Sequence, residues 1–391
     1  MMSDFSESYA NKLLQGILQY SHTHTPWVVC KMPLSVYASG GLGKVLEFAL
    51  QWKADAIIAQ FRDGDDVDMF RRNGILAIAQ DYQNRFSDIS NITGAYFEQG
   101  RICADYLIDI GAVNFAFYGL QGRVWSVERR EGFENRIAQR LEGTEVIVNE
   151  VPEMNDIWWY DLDSLVSWLR KLPKPVAIMA SDDNAAFHLI EACQQHFELG
   201  MRVPDDIIIL GVDDDEALCQ LSSPPLSSLS QRIEHAGYMV AEMIDRRLAM
   251  PLEERFNNPE NISVMPGNIV VRKSSDVFLH DNPYIKKVCT YIQQNVSEAF
   301  SVEDLVDLVP MSRRLLEKLF RAQIGISIYQ YVIRTRVDRM KLLMDSGMSA
   351  QEAAQNLNLD YKVISRTFKS AVGMTPARYA KTYSKGRKQS T

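Results

Sequence analysis

Asp4, Gln60, Asp81, Asp182 and Asp213 each follow a short apolar run, Arg129 comes shortly after the run Phe115–Gly119, and Ser6 stands beside Asp4. Carboxylates accept hydrogen bonds from vicinal hydroxyls, a guanidinium donates to a ring oxygen, and an aromatic ring stacks on the apolar face of a sugar. Taken singly, each residue would serve as well in a helix cap as in a ligand contact. Six of them after apolar runs favour a shared site for a polyhydroxylated small molecule. A second constellation lies near the carboxyl terminus. There Ser312, Arg313, Arg314 and Lys318, and then Tyr361, Lys362, Ser365, Arg366 and Lys369, place hydroxyls and cations along two helix-length segments. Such donors suit base edges and phosphates in a major groove.

The elements that must position the first set alternate along the chain. Short apolar runs at Trp27–Cys30, Ala56–Ala59, Ile75–Ala79, Phe115–Gly119, Val146–Val148, Val176–Ala180, Ile207–Val212 and Ile269–Val271 predict strands. Segments with helical apolar spacing intervene: Asn11–Tyr20, Val45–Trp52, Gly100–Ile110, Val127–Leu141, Leu162–Leu172, Ala185–Phe197 and Ile233–Leu248. This is an α/β body with a mostly parallel sheet, and such sheets bind ligands where strand ends converge. The body opens abruptly, since Met1-Met2-Ser3 supplies only the end of an expected first strand, which points either to a start site set too late or to a truncated chain. Arg272-Lys273-Ser274-Ser275-Asp276 begins a linker, 272–283, and from Tyr284 the pattern is helical throughout.

Two helix-turn-helix units are expected in that last part, Ser301–Phe320 and Ser349–Phe368. Ser301 and Ser349 can cap first helices, Asp304 takes the capping-box position, Pro310 breaks a helix, and Ser312 caps the next. Leu316, Leu319 and Phe320 face a core, and so do Ile364 and Phe368. Asn358 suits a left-handed turn. A joining helix near Ile328–Met344, carrying Arg334, Arg336, Arg339 and Lys341, would hold the two recognition helices about one DNA turn apart, roughly 34 Å.

Charge follows the same division. From Tyr284 to Thr391 there are 18 Lys+Arg against 9 Asp+Glu, so this segment is +9 within a chain of net charge −8. A basic module on an acidic body is the footprint of contact with a polyanion. At 391 residues, two or three domains are expected. Five scattered cysteines without metal-ligand spacing suit buried free thiols in a reducing compartment. No apolar run is long enough for a bilayer, no signal pattern opens the chain, and the expected location is the cytoplasm.

The residues argue against an enzyme. Gly40-Gly41-Leu42-Gly43-Lys44 lacks Walker spacing and reads as a surface turn, and no nucleophile elbow or G-x-G-x-x-G is present. A methyl-accepting repair protein would need a reactive cysteine cluster. No metal or cofactor is expected.

Over Tyr284–Thr382 the chain resembles the AraC/XylS family of transcription regulators. The resemblance rests on Leu315-Leu316-Glu317-Lys318-Leu319-Phe320, Gly325-Ile326-Ser327 and Arg336-Val337-Asp338-Arg339-Met340-Lys341-Leu342-Leu343. It continues in Ser365-Arg366-Thr367-Phe368-Lys369 and Gly373-Met374-Thr375-Pro376-Ala377-Arg378-Tyr379. Pro310 stands where the family usually has Gly, and Asn358–Lys362 is one residue short of its pattern. Over about residues 4–271 the chain resembles the LacI-type sugar-sensing domain, a two-lobed relative of periplasmic binding proteins. Here the carrying residues are Phe115–Gly119 with Arg129-Arg130-Glu131-Gly132-Phe133, Ala180–Ala185, Val203–Ile207, Gly211-Val212-Asp213-Asp214 and Pro224–Leu229. The family's Asp at the opening of the third helix is absent from Ile92–Gly100.

Together the resemblances imply a two-lobed α/β sensor domain, 1–271, and an all-α double helix-turn-helix domain, 284–382, followed by a basic tail, 383–391. They carry Arg129 and Asp213 over as sugar contacts. They further imply a pentose effector, D-xylose or a relative, double-stranded operator DNA, a homodimer, and RNA polymerase as partner if the protein activates. The alternative reading is a sensor of another sugar that represses or does not read DNA directly.

Overall fold

The structure is a computed structural model that describes residues 1–3, 8–24, 26–152, 161–196, 201–277, 282–298, 300–324, 326–345 and 347–383. Asp4, Ser6 and the tail from 384 lie outside the described residues, and of the expected linker only 272–277 and 282–283 lie within them. The body contains α1 (Ser8–Thr23), α2 (Leu34–Gln51), β1 (Ala56–Ala59), α3 (Asp68–Arg72), β2 (Leu76–Gln80), β3 (Ser90–Gly94), α4 (Tyr96–Asp109), β4 (Phe115–Leu120), α5 (Val124–Arg140) and β5 (Val146–Val151). It continues through α6 (Leu162–Lys171), β6 (Val176–Ala180), α7 (Asp183–Gln195), β7 (Ile207–Asp213), α8 (Glu216–Leu221), β8 (Ser227–Gln231), α9 (Ile233–Leu248), α10 (Leu252–Arg255), β9 (Ile262–Val264) and β10 (Pro266–Val270).

These strands form two sheets. The first has the order β1-β2-β3-β9 and is parallel throughout, and the second has the order β10-β8-β7-β6-β4-β5. In the second, β8 runs parallel to β7 and antiparallel to β10. The chain leaves the first sheet after β3, returns after β8 and leaves again after β9. Three crossings of this kind divide the body into two lobes, each built from distant stretches of sequence.

The first lobe is held by Ile78 and Ile92 on one sheet face, packed against Leu13 and Ile17 of α1 and Val240 of α9. Val45, Phe61 and Phe70 cover the other face. Full burial of each such side chain contributes about 1.5–3 kcal/mol. Helices α1 and α9 approach closely because glycines meet at the crossing. A Cβ on Gly16 would come within 1.8 Å of the Glu234 carbonyl oxygen, and one on Gly237 within 2.1 Å of that of Leu13.

Seven of the eight expected strands are present. The exception is Trp27–Cys30, which is irregular. Val28 points into solvent, and the Trp27 N–H donates to Ser21 Oγ (2.8 Å) instead of entering a ladder. Met2 forms the parallel bridges, to Met32 and to Ala59. Three strands were not expected, β3, β8 and β9, and the first two are serine- and asparagine-containing runs whose polar side chains are nonetheless buried. The Gly40-Gly41 turn interrupts α2 as a kink with Gly41 at φ 63°, and Lys44 pairs there with Glu47 at 2.7 Å. All five cysteines are free thiols, four of them buried.

Arg272–Ser275, expected to open the linker, belong to the body. Ser274 and Ser275 are buried, Ser274 Oγ donates to the Ile209 carbonyl (2.7 Å), and Arg272 pairs with Asp214 (2.8 Å). The two compact units of the chain divide, in the main, between Ser275 and Asp276.

The second unit is helical: α11 (Pro283–Gln294), α12 (Val302–Asp307), α13 (Arg313–Ile324), α14 (Ile328–Asp345), α15 (Ala350–Asn356), α16 (Tyr361–Val372) and α17 (Pro376–Tyr383). The expected capping box of Ser301 with Asp304 forms, and Ser349, expected as a cap, forms a second box with Glu352. Each satisfies two backbone donors that a helix start leaves unpaired. Helix α14 serves two cores. Tyr331 and Val332 join Leu305, Leu316 and Phe320, whereas Val337, Met340 and Met344 join Ala353, Ile364 and Phe368. Among the described residues no helix is long and apolar enough to cross a membrane.

Candidate functional site

Two sets of side chains carry the candidate chemistry, one within the body and one on the helical unit. In the body, Arg129 is the centre. Its helix, α5, follows β4, and its guanidinium is almost wholly buried. Nε donates to Gln99 Oε1 (2.7 Å), Nη1 donates to the Ser181 carbonyl, and Nη2 pairs with Asp213 Oδ1 at 3.3 Å. The same group lies over the rings of Tyr96 (5.3 Å) and Trp125 (5.6 Å). Gln231, last residue of β8, closes a ring of polar contacts by donating to Asp213 Oδ1 and accepting from Gln99 Nε2 (2.8 Å).

Asp213 ends β7 with φ at 109°, and Asp214 follows at φ 49°. Residues without glycine's freedom adopt such angles at a cost of about 1–3 kcal/mol, sustained where a site demands them. Lys12 of α1 holds this turn by donating to both carbonyls, at 2.9 and 2.8 Å. Burial pushes the Asp213 carboxyl up to about 6 against the pull of Arg129, with Asp182 adding to the rise.

Across from this group, the first lobe presents Asp81 and Tyr9. Asp81 Oδ2 accepts from Thr93 Oγ1 (2.6 Å) and from Arg85 Nε (3.1 Å), and burial raises its carboxyl despite both. Its Oδ1 is buried without a partner among the described residues, and so is the Tyr9 hydroxyl. Burial, together with the charges of Asp81 and Asp213, keeps the Tyr9 hydroxyl protonated. Two unpartnered polar atoms beside Arg129 and Asp213 fit the hydroxyls of a small polar ligand, because unpaired buried groups each cost about 1–3 kcal/mol.

Further contacts join the two lobes. Arg85 forms a two-point pair with Glu128 of α5 (Nη2 to Oε2, 2.9 Å). Arg123 lies 3.9 Å from the Tyr82 ring centre and donates to its hydroxyl, and the Val124 N–H donates to the Tyr82 carbonyl at 3.1 Å.

The structure brings Asp81, Arg129, Asp182 and Asp213 together. Asp182 is engaged otherwise than expected: Oδ1 caps α7 through Ala185 N–H, Oδ2 accepts from Ser181 Oγ, and it reaches the site through its effect on Asp213. Gln60 is partly buried after β1, where its backbone N–H donates to the Met2 carbonyl. Tyr9, Tyr96, Gln99, Trp125 and Gln231 are the members that sequence reasoning missed. Gln231 occupies the same kind of strand end as Asp81 and Asp213, and recognising β8 would have found it. Tyr96 and Gln99 stand at the opening of α4, where the family's Asp is absent.

On the helical unit, α13 and α16 carry the second set. Arg314 and Lys318 of α13, and Lys362, Arg366 and Lys369 of α16, are exposed, and their side chains have no hydrogen-bond or ion-pair partner among the described residues. Arg313 differs, since it pairs with Glu303 and with Glu317 (2.9 Å). Ser312 accepts from Leu315 N–H (3.4 Å), and Ser365 and Tyr361 are partly buried. Asn358 takes the expected left-handed conformation, at φ 50°. The turn before α16 is one residue shorter than that before α13, and α15 is one residue longer than α12. The spacing from cap to cap is therefore the same in both units, Ser301 to Ser312 and Ser349 to Asp360, and α16 keeps the register of α13.

Comparison with known proteins agrees with this division. Residues 104–275 match the periplasmic binding protein-like domain family, and residues 305–382 match a helix-turn-helix domain family. The chain is 25% identical to the xylose operon regulatory protein of Escherichia coli K12, over 97% of this chain and 95% of that one. It is also 25% identical to the Haemophilus influenzae protein of the same name, over 97% of each. The structure of a xylose-binding transcription activator superposes with a TM-score of 0.56 at 23% identity, covering 98% of this chain and 97% of that one. A ribose-bound LacI family regulator from Enterococcus faecium covers 71% of this chain and 98% of its own, with a TM-score of 0.57 at 17% identity. The chain is a DNA-binding transcription regulator that joins a periplasmic binding protein-like domain to a C-terminal helix-turn-helix domain, and it is similar over almost its whole length to xylose operon regulatory proteins.

Proposed function

We propose that this regulator is switched by a pentose, D-xylose first, held between the two lobes of the body, and that it activates genes for pentose use from operator DNA. The observation that carries the ligand is the pairing of unpartnered Tyr9 hydroxyl and Asp81 Oδ1 on one wall with Arg129 and Asp213 on the other. Asp81 and Asp213 accept from sugar hydroxyls, Arg129 donates to a ring oxygen, Tyr9 donates or accepts, and Trp125 or Tyr96 covers an apolar sugar face. The xylose named for relatives similar over 97% of the chain supports the choice of pentose.

A ligand that touches both walls favours the arrangement in which they meet, and so shifts the population toward it. In a homodimer this would change how well two helix-turn-helix units occupy adjacent half-sites, with RNA polymerase as the downstream partner in the cytoplasm. A thermal-shift screen of pentoses and hexoses on the full chain tests the effector, because a ligand stabilises the folded state it binds. D-xylose raising the melting temperature above all hexoses is the expected result. If no pentose shifts it, the cleft assignment is wrong. Titration of labelled pentose-operon promoter DNA with and without D-xylose tests the switch, and unchanged affinity and spacing preference would count against it.

A further inference from the structure

The two recognition helices can be laid on one another residue for residue with a shift of 48 positions. Core positions Leu316 and Phe320 fall on Ile364 and Phe368, and cations Arg314 and Lys318 fall on Lys362 and Arg366. Between each pair of cations, at the third position of the helix, stands an aliphatic side chain turned to solvent: Leu315 is 45% exposed and Val363 is 65% exposed. A single exposed aliphatic residue is ordinary. The same kind of residue at the same place in two motifs, flanked by cations that have no partner among the described residues, is not. Recognition helices present their N-terminal residues to base edges, and the apolar group a major groove offers there is the C5-methyl of thymine.

We infer that Leu315 and Val363 are specificity residues, each contacting a thymine methyl in the operator. The inference rests on the DNA-reading function and deepens it. Arg314, Lys318, Lys362 and Arg366 then bind phosphate or guanine around a small apolar contact, so each unit reads a site in which thymine neighbours its cation contacts.

The experiment selects duplexes from a randomised pool with the full chain and then replaces each selected thymine, one at a time, by uracil, which removes only the methyl. Two positions, one per motif, lose affinity about fourfold, the equivalent of ~0.8 kcal/mol for one buried methylene-sized group. Val363→Ser abolishes the thymine preference at one position and keeps it at the other, and Leu315→Ser does the reverse. Because both side chains are exposed, the variants retain the parent's melting curve; Val363→Ala and Leu315→Ala repeat the measurement if serine lowers it. Selected duplexes without any uracil effect, or variants that weaken thymine and uracil duplexes equally, overturn the methyl contacts while leaving DNA reading intact. A loss of promoter activation with unchanged DNA preference would assign the two residues to a protein partner and overturn them too. If no duplex is enriched, the DNA-reading function itself fails.

Discussion

Replacing Arg129 by alanine removes the group on which the cleft is organised, and the consequences can be worked from its contacts. The guanidinium is buried, pairs with Asp213, donates to Gln99 and to the Ser181 carbonyl, and lies over Tyr96 and Trp125. Removing one partner of a buried ion pair costs about 3–5 kcal/mol, because the other charge is left uncompensated. The freed acceptors would each add about 1–3 kcal/mol if they stayed dry, but water entering from the cleft offsets part of this, so the sum is not reached. A domain of this size loses roughly 2–4 °C of melting temperature per kcal/mol, which gives a fall on the order of 10 °C for the body. Calorimetry on the full chain should show that fall in the body's transition and none in the transition of the helical unit. Pentose binding is lost in the same variant, measured by titration calorimetry. Arg129→Lys restores the charge but not the fork, and recovers part of the stability with little of the sugar affinity. A body transition within 2 °C of the parent, with sugar binding retained, would refute the central placing of Arg129.

Asp213, pushed up to about 6 by burial, sets two opposite trends with pH. Its folded value lies above its unfolded one, so its contribution to stability is complete below about pH 4 and is lost as pH rises through about 6. Sugar affinity runs the other way, since the ionised carboxylate is the stronger acceptor and is the form that pairs with Arg129: it should be constant above about pH 7 and weaken as pH falls through about 6. Titrations at several pH values check this, and a flat profile would remove Asp213 from the site. Gly237→Ala should destabilise the first lobe strongly, by several kcal/mol, because its Cβ would meet the Leu13 carbonyl at 2.1 Å; chemical denaturation reads the loss. Arg366→Ala should weaken specific DNA binding by ~1–3 kcal/mol and relax preference at one base pair if it reads that base, and should lower affinity for all sequences alike if it touches phosphate.

Much of this architecture was legible from sequence, and the places where it was not share a cause. Strands that are buried and aliphatic, such as Ile207–Asp213, announce themselves by hydrophobicity. Strand β8, Ser-Ser-Leu-Ser-Gln, does not, because its serines are buried by bonding to distant backbone and to Asp183, as Ser228 Oγ does at 2.6 Å. Missing β8 hid Gln231, and starting the first helix at Asn11 rather than Ser8 left out Tyr9. The helix caps of the second unit were readable because a capping box is a local pattern, satisfied within four residues. Asp182 shows a different limit: its bonds to Ser181 and Ala185 are local and a helix cap was one of the two readings open for it, but the sequence does not choose between cap and ligand contact.

The close crossing of α1 and α9 through Gly16 and Gly237 also orders events on the ribosome. The first lobe draws its opening helix and strands from the first hundred residues but waits for α9 and β9, and β9 ends roughly 170 residues after β3. At synthesis rates of about 5–20 residues per second that interval is roughly 10–30 s. During it the apolar faces of α1, β2 and β3 lack their cover, while the strands β4 to β8 emerge in one uninterrupted stretch and can assemble first. The nascent chain therefore carries an unfinished lobe ahead of one that lacks only its edge strand β10, and chaperone contact during synthesis should concentrate on the segment from Leu13 to Ile92 until Val264 has left the exit tunnel.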